Sequence, residues 1–267
     1  MNIFHALVFQ PVYNLVIFFA DFFPGANFGV AIVSATILIK FLFLSLSKKQ
    51  IESQRQMQEI QPEIKKIQER YKDDKERQSK EIMSLYKEKK VNPFMGCLPM
   101  VIQIVFLIAI YRVILSISQT GFAANPEELY PFVTNPGALF RTFIFTDLTV
   151  ASPLFAVIAA AGQFYQTKML MSSKTGDTGE EKAPERKAKR KEETVSKEPD
   201  FASMMNQQML YLGPAMTLFI GLRFPAALSL YWLVSTAFSI VQQRFVLNRK
   251  QAKATDVSRG TDKQQNS

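Results

Sequence analysis

A chain of 267 residues with a net charge of +9 could be read as a soluble nucleic-acid binder, but the way its charges are gathered argues against that. There is no Lys, Arg or Glu before residue 40 and thirteen Lys plus Arg between 48 and 90, the block pattern of a membrane protein. One cysteine, Cys97, excludes an intrachain disulfide, and one histidine, His5, makes a zinc site of His and Cys ligands unworkable.

The first 24 residues are apolar but lack a basic leader and a small-residue cleavage site. Gln10, Asn14 and Asp21 fall within about 40° of one another at helical spacing, so residues 1–27 are read as an interfacial amphipathic helix. A further span is the alternative. Five segments are long and apolar enough to cross ~30 Å of hydrocarbon: 28–47, 95–117, 151–172, 206–223 and 226–247. The last two are separated only by Phe224 and Pro225, which makes them antiparallel neighbours.

Between the first two spans, 48–94 reads as a helical hairpin. Met57, Ile60, Ile64, Ile67 and Tyr71 form one stripe at 3-4-3-4 spacing that something must cover. YKDDKE at 71–76 breaks the pattern, and Asp73 or Asp74 can cap a second helix through Ile82, Met83 and Tyr86. The 118–150 connection holds a single base, Arg141. The 173–205 connection has eight bases against eight acids and reads as a disordered loop, and the polar 248–267 tail as unstructured. Basic connections are retained in the cytoplasm, so the amino terminus is expected outside and the carboxyl terminus inside. The predicted fold class is an all-α polytopic membrane protein with a five-helix transmembrane core, a cytoplasmic helical hairpin and an N-terminal interfacial helix.

Within the spans, Lys40 stands out. It lies seven residues before the end of its span, roughly 10 Å deep at 1.5 Å per residue. A cation there costs about 2.5–3.5 kcal/mol on insertion scales unless it reaches the headgroups, a partner or water. No span carries an Asp or Glu to neutralise it. Thr36 sits one turn away on the same face, and Gln103, Gln163, Gln166, Ser235 and Thr236 supply polar groups from other spans. Together they could line one concave surface, although each alone is more often a packing residue. Tyr231 and Trp232, near the end of the last span, fit equally an aromatic interfacial belt. Arg112 can reach headgroups by extension.

The run QPEIKKIQERYKDDKERQSKEIMSLYKEKKVNPFMGCLPMVIQ at 61–103 strongly resembles the YidC/Oxa membrane protein insertases, and the likeness resumes at FPAALSLYWLVSTAFSIVQQ, 224–243. The resemblance implies an intramembrane cation, generally Arg, in a hydrophilic groove, and Lys40 falls at that position with Thr36 one turn earlier. Lys keeps the charge but not the planar donor fork of Arg. Trp232 stands where the family usually has a Tyr that touches the nascent helix. The resemblance also suggests a minimal bacterial form of the cytoplasmic membrane, without a large extracytoplasmic domain or preceding signal anchor.

The function implied is an insertase or chaperone that guides hydrophobic segments and short polar tails of nascent proteins into the bilayer. Its expected partners are nascent membrane proteins, with the Sec translocon, the signal-recognition-particle pathway and the ribosome as further candidates, and no sequence-specific nucleic acid. No cofactor or nucleotide is expected, since no Walker-type loop is present. A small-solute transporter using Lys40 is the rival, but no repeated halves are evident. An intramembrane enzyme is disfavoured because the spans hold no carboxylate pair, HExxH or Ser-His set. A pure assembly factor would need the same surface.

Overall fold

The computed structural model describes residues 2–92, 98–172 and 201–265, and these are predominantly helical. A short π-helix, His5–Phe9, runs into α1, Gln10–Phe22. There follow α2, Phe28–Leu42; α3, Leu44–Glu59; α4, Gln61–Arg70; and α5, Lys75–Glu88. After α6, Leu98–Gln119, a long connection holds a 3-10 turn and a small hairpin of β1, Thr142–Phe143, and β2, Thr146–Asp147. Then come α7, Pro153–Ser172; α8, Phe201–Arg223; and α9, Ala226–Gln265.

Apolar faces of α1, α2, α6 and α9 meet in one core that includes Tyr13, Ile17, Ile32, Ile110, Ile114 and Leu230. The N-terminal helix is part of it: Tyr13, Val16, Ile17 and Ala20 are fully buried. Its polar stripe is also used internally. Asn14, 3% exposed, donates to the carbonyls of Gln10 and Glu128, both at 2.8 Å, and accepts from the Tyr130 N–H at 2.7 Å. Gln10 also donates to the Glu128 carbonyl, whereas Asp21 is exposed.

The connection after α6 ties the helix ends together. Asn27 caps α2 by accepting from the Val30 N–H and donates to the Thr142 carbonyl. Phe28 N–H donates to the Phe140 carbonyl, and Phe140 N–H to that of Ala26. The first turn of α9 is held too, since Ala226 and Ala227 donate to the carbonyls of Val150 and Leu148. A Cβ on Gly29 would lie 2.4 Å from Cδ2 of Phe143, so only glycine lets the hairpin seat on α2.

The first predicted span, 28–47, does not run straight. It breaks at Phe43, and α2 and α3 diverge by 68°. Gln242 of α9 donates to the Leu44 carbonyl at 3.3 Å, satisfying an acceptor at the break. A second break falls at Ile60, where Pro62 removes a helical N–H and crowds the preceding turn.

Beyond it, the apolar stripe finds its cover. Ile60 and Ile64 are buried against Leu85 and Val91, with Met57, Ile67, Ile82 and Tyr86 around them. Asp74 is the cap of α5, accepting from the Arg77 N–H at 2.9 Å. A Lys89–Glu63 pair at 3.0 Å closes the hairpin. Met83, between Ile82 and Tyr86 on α5, is half exposed.

Other bounds shift from the sequence reading. α8 begins at Phe201 rather than 206, and α9 continues to Gln265 instead of ending near 247. No proline follows Pro225, and the tail is rich in Gln, Lys, Arg and Ala, which favour helix over the coil expected there. The insert at 173–200, read as disordered, lies outside the described residues, as does 93–97 at the start of the second span.

Candidate functional site

Lys40 leaves α2 one turn before the break and turns inward. Its amine donates to the Ser239 hydroxyl of α9 at 3.3 Å, and the residue is only partly exposed. Ser239 in turn donates to the Ser235 carbonyl at 2.9 Å, and the Ser235 hydroxyl donates to Oε1 of Gln103 on α6 at 3.3 Å. The Tyr231 hydroxyl faces the Ser235 and Gln103 side chains. Ser235 and Tyr231 are 2% and 4% exposed, so this polar chain crosses an otherwise apolar interior.

Its regularity comes from α9. Residues 231, 235 and 239 are spaced by four and share one face, towards α2 and α6. Trp232 and Thr236 fall about 100° around the helix and meet α7 instead. The Trp232 indole N–H donates to Oε1 of Gln163 at 2.6 Å, and the Thr236 methyl lies 3.4 Å from where a Cβ on Gly162 would stand. Trp232 is 8% exposed, so it is a bundle residue here and not part of a solvent-facing belt.

The nine residues expected in a single lining therefore divide. Lys40, Gln103, Tyr231 and Ser235 form one network; Gln163, Trp232 and Thr236 form a contact on the other side of α9. Thr36 is buried on α2, and its hydroxyl donates to its own helix at the Ile32 carbonyl, 2.6 Å away. Gln166, half-buried one turn beyond Gln163, is not joined to either group by the bonds described.

Sequence reasoning missed Ser239, the partner of Lys40, although its position four residues after Ser235 was a usable signal. It also missed the glutamines below it. Gln242 and Gln243 are buried on α9, and Gln50 is buried on α3; Gln50 Nε2 and Gln243 Oε1 have no hydrogen-bond partner among the described residues. A shallow recess of about 400 Å³ opens just beyond Lys40, between Phe41, Leu44, Ser45 and Lys48 on one side and Phe238 and Gln242 on the other. No group of three or more His, Cys, Asp or Glu that could hold a metal occurs among the described residues.

The 60Kd inner membrane protein family matches residues 18–254, nearly the whole chain. This chain belongs to that family. Among relatives, it is 35% identical to a membrane protein insertase YidC of Streptomyces avermitilis, over 90% of this chain and 55% of the relative. It is 34% identical to a membrane protein insertase YidC 2 of Bacillus anthracis, over 88% of this chain and 78% of that one. A membrane protein insertase YidC of Rickettsia africae is 32% identical over 90% of this chain but only 38% of its own length. The chain thus spans little more than half of the first of these relatives. The YidC/Oxa likeness carried by residues 61–103 and 224–243 is a family membership, and the chain is a bacterial membrane protein.

Proposed function

We propose that this chain is a membrane protein insertase and chaperone, and that the Lys40–Ser239–Ser235–Gln103–Tyr231 network is the polar wall along which a client's short hydrophilic tail enters the bilayer. The observation that carries the reading is the direction of Lys40. An amine reaching for headgroups would extend along the membrane normal, whereas this one is engaged by a hydroxyl on the opposing helix. An ammonium has three donors, and Ser239 takes one, which leaves capacity for a carboxylate or water. Gln50 Nε2 and Gln243 Oε1, without a partner among the described residues, come after Lys40 and Ser239 along the chain towards α3 and the end of α9, and suit hydration from the cytoplasm.

The main barrier to insertion is desolvation of the polar tail. Lys40 attracts an acidic tail where charges interact more strongly than in bulk water, and the hydroxyl and amide groups replace part of its hydration. Transfer of the apolar segment to lipid supplies the driving force, helped by the membrane potential acting on acidic tails. No step requires a bond to be made or broken. In this reading α2 with the start of α3, α6, α7, α8 and the first half of α9 are the five spans, the basic hairpin is cytoplasmic and the amino terminus is outside. The basic hairpin and the carboxyl-terminal end of α9 are then the surfaces available to a Sec channel, the targeting pathway or the ribosome.

The test is insertion of a single-span client with an acidic amino-terminal tail into vesicles holding only this protein. Lys40→Arg should retain insertion and Lys40→Ala should reduce it about tenfold, equivalent to about 1.4 kcal/mol of barrier. Ser239→Ala should give a smaller loss. Equal insertion by all variants would reject the polar wall as the route.

A further inference from the structure

The β1–β2 hairpin carries an unusual tip. Its two loop residues are Ile144 and Phe145, and Ile144 holds a φ of +57°, a left-handed conformation that β-branched residues avoid. Asn or Gly would serve this turn without strain. Ile144 is 67% exposed and Phe145 96% exposed. A strained turn that spends its two positions on uncovered apolar side chains has a use for them.

The rest of the hairpin shows what covers them. The base is fixed to the amino end of α2 by the Asn27 and Phe28 hydrogen bonds and by Phe143 against Gly29. The tip therefore has a set height relative to a span. α2 has 15 residues, about 22 Å of helix, which is short of ~30 Å of hydrocarbon. The start of α3 completes the span at the carboxyl end, whereas at the amino end the span begins only at Phe28, and the hairpin stands at that level. The only charges of the hairpin, Arg141 and Asp147, pair with each other at 3.7 Å at its base. What projects beyond them is uncharged.

We propose that Ile144 and Phe145 form a membrane finger, inserted into the acyl–headgroup boundary of the leaflet on the side away from the basic α4–α5 hairpin. The occupant of this surface is lipid. A finger held rigidly to α2 fixes the height of that helix in the bilayer, and with it the depth of Lys40. The inference uses the transmembrane course of α2 from the proposed function, but not the handling of clients.

The test places a nitroxide at residue 145 through Phe145→Cys in a Cys97→Ser background, with the full chain in liposomes of phosphatidylglycerol and phosphatidylethanolamine. Asn135→Cys, an exposed polar site in the same connection, is the control. Relaxation by oxygen and by an aqueous nickel chelate is compared. At 145 nickel collisions should be largely lost and oxygen collisions retained, with the reverse at 135. A label at 145 relaxed by nickel as readily as at 135 overturns the proposal, and shielding from both reagents overturns it in favour of a protein contact. Depth is read without reference to side, so reversed topology or failed insertion by Lys40 variants leaves the measurement standing. Ile144→Asn, which eases the turn, provides a second check. A 145 label that keeps its depth in that variant places the finger's position in its anchorage to α2, and a label that moves into water overturns the rigid attachment.

Discussion

The two ends of α2 are built differently. At the amino end, Asn27 caps the helix, Phe140 accepts from the Phe28 N–H and donates to the Ala26 carbonyl, and Phe143 closes over Gly29. At the carboxyl end the helix breaks at Phe43, and one bond from Gln242 to the Leu44 carbonyl links the break to α9. One end is clamped by side chains and backbone from a distant connection; the other is held by side chains alone, through Lys40–Ser239, the Gln242 bond and the ring contacts Phe41–Phe238 and Phe43–Phe106. A helix so constructed fixes Lys40 relative to the connection, and the chain turns by 68° just beyond it.

The largest effect should come from loosening the clamping connection where it is tied to α1. Asn14→Leu removes three bonds and leaves the part-buried Tyr130 N–H and Glu128 carbonyl without this partner, which should cost about 2–3 kcal/mol in denaturant unfolding in detergent. Gly29→Ala follows, with an expected loss of about 1–3 kcal/mol as Phe143 is forced away. At the loose end, Gln242→Leu should cost about 1 kcal/mol and speed deuterium uptake in 44–59 more than in 28–42. Uniform uptake along both helices would show that the break is no weaker than the clamp.

The smallest effect concerns Asp147. A hydrogen bond from the Thr149 hydroxyl, foremost, holds its carboxyl below the usual 3.8, with the Thr149 N–H and Arg141 adding to it. A depressed folded value means that this stabilisation is complete above the unfolded value and is lost as pH falls through the folded one. Solvent screening keeps it under about 1 kcal/mol. The melting difference between wild type and Asp147→Asn should therefore shrink as the pH is lowered from about 6 to about 3.

Much of this was legible in the residues. Local periodicity located the hairpin, since the Met57–Ile67 stripe needs a partner and Asp74 is a cap by composition alone. The lone cation at 40 and the amide at 103 stand out because buried polar groups are costly. What escaped depends on tertiary choices. Nothing local distinguishes Tyr231 from Trp232, yet one step of 100° sends them to different neighbours. The break at Phe43 carries neither proline nor glycine, and it is met by Gln242, some 200 positions away. The β1–β2 turn is invisible locally because its sequence, FIFT, is the opposite of turn chemistry, and its strand pairing and its anchorage to α2 hold it.

Trp232 is the sole tryptophan of the chain, and its indole N–H is committed to Gln163 across the α7–α9 contact. The molecule thus contains an intrinsic fluorophore whose emission is set by a single amide on a neighbouring helix. Separation of α7 from α9 would exchange that amide for water or acyl chains and shift the spectrum to the red or the blue accordingly, which gives an optical record of the bundle opening without any added label.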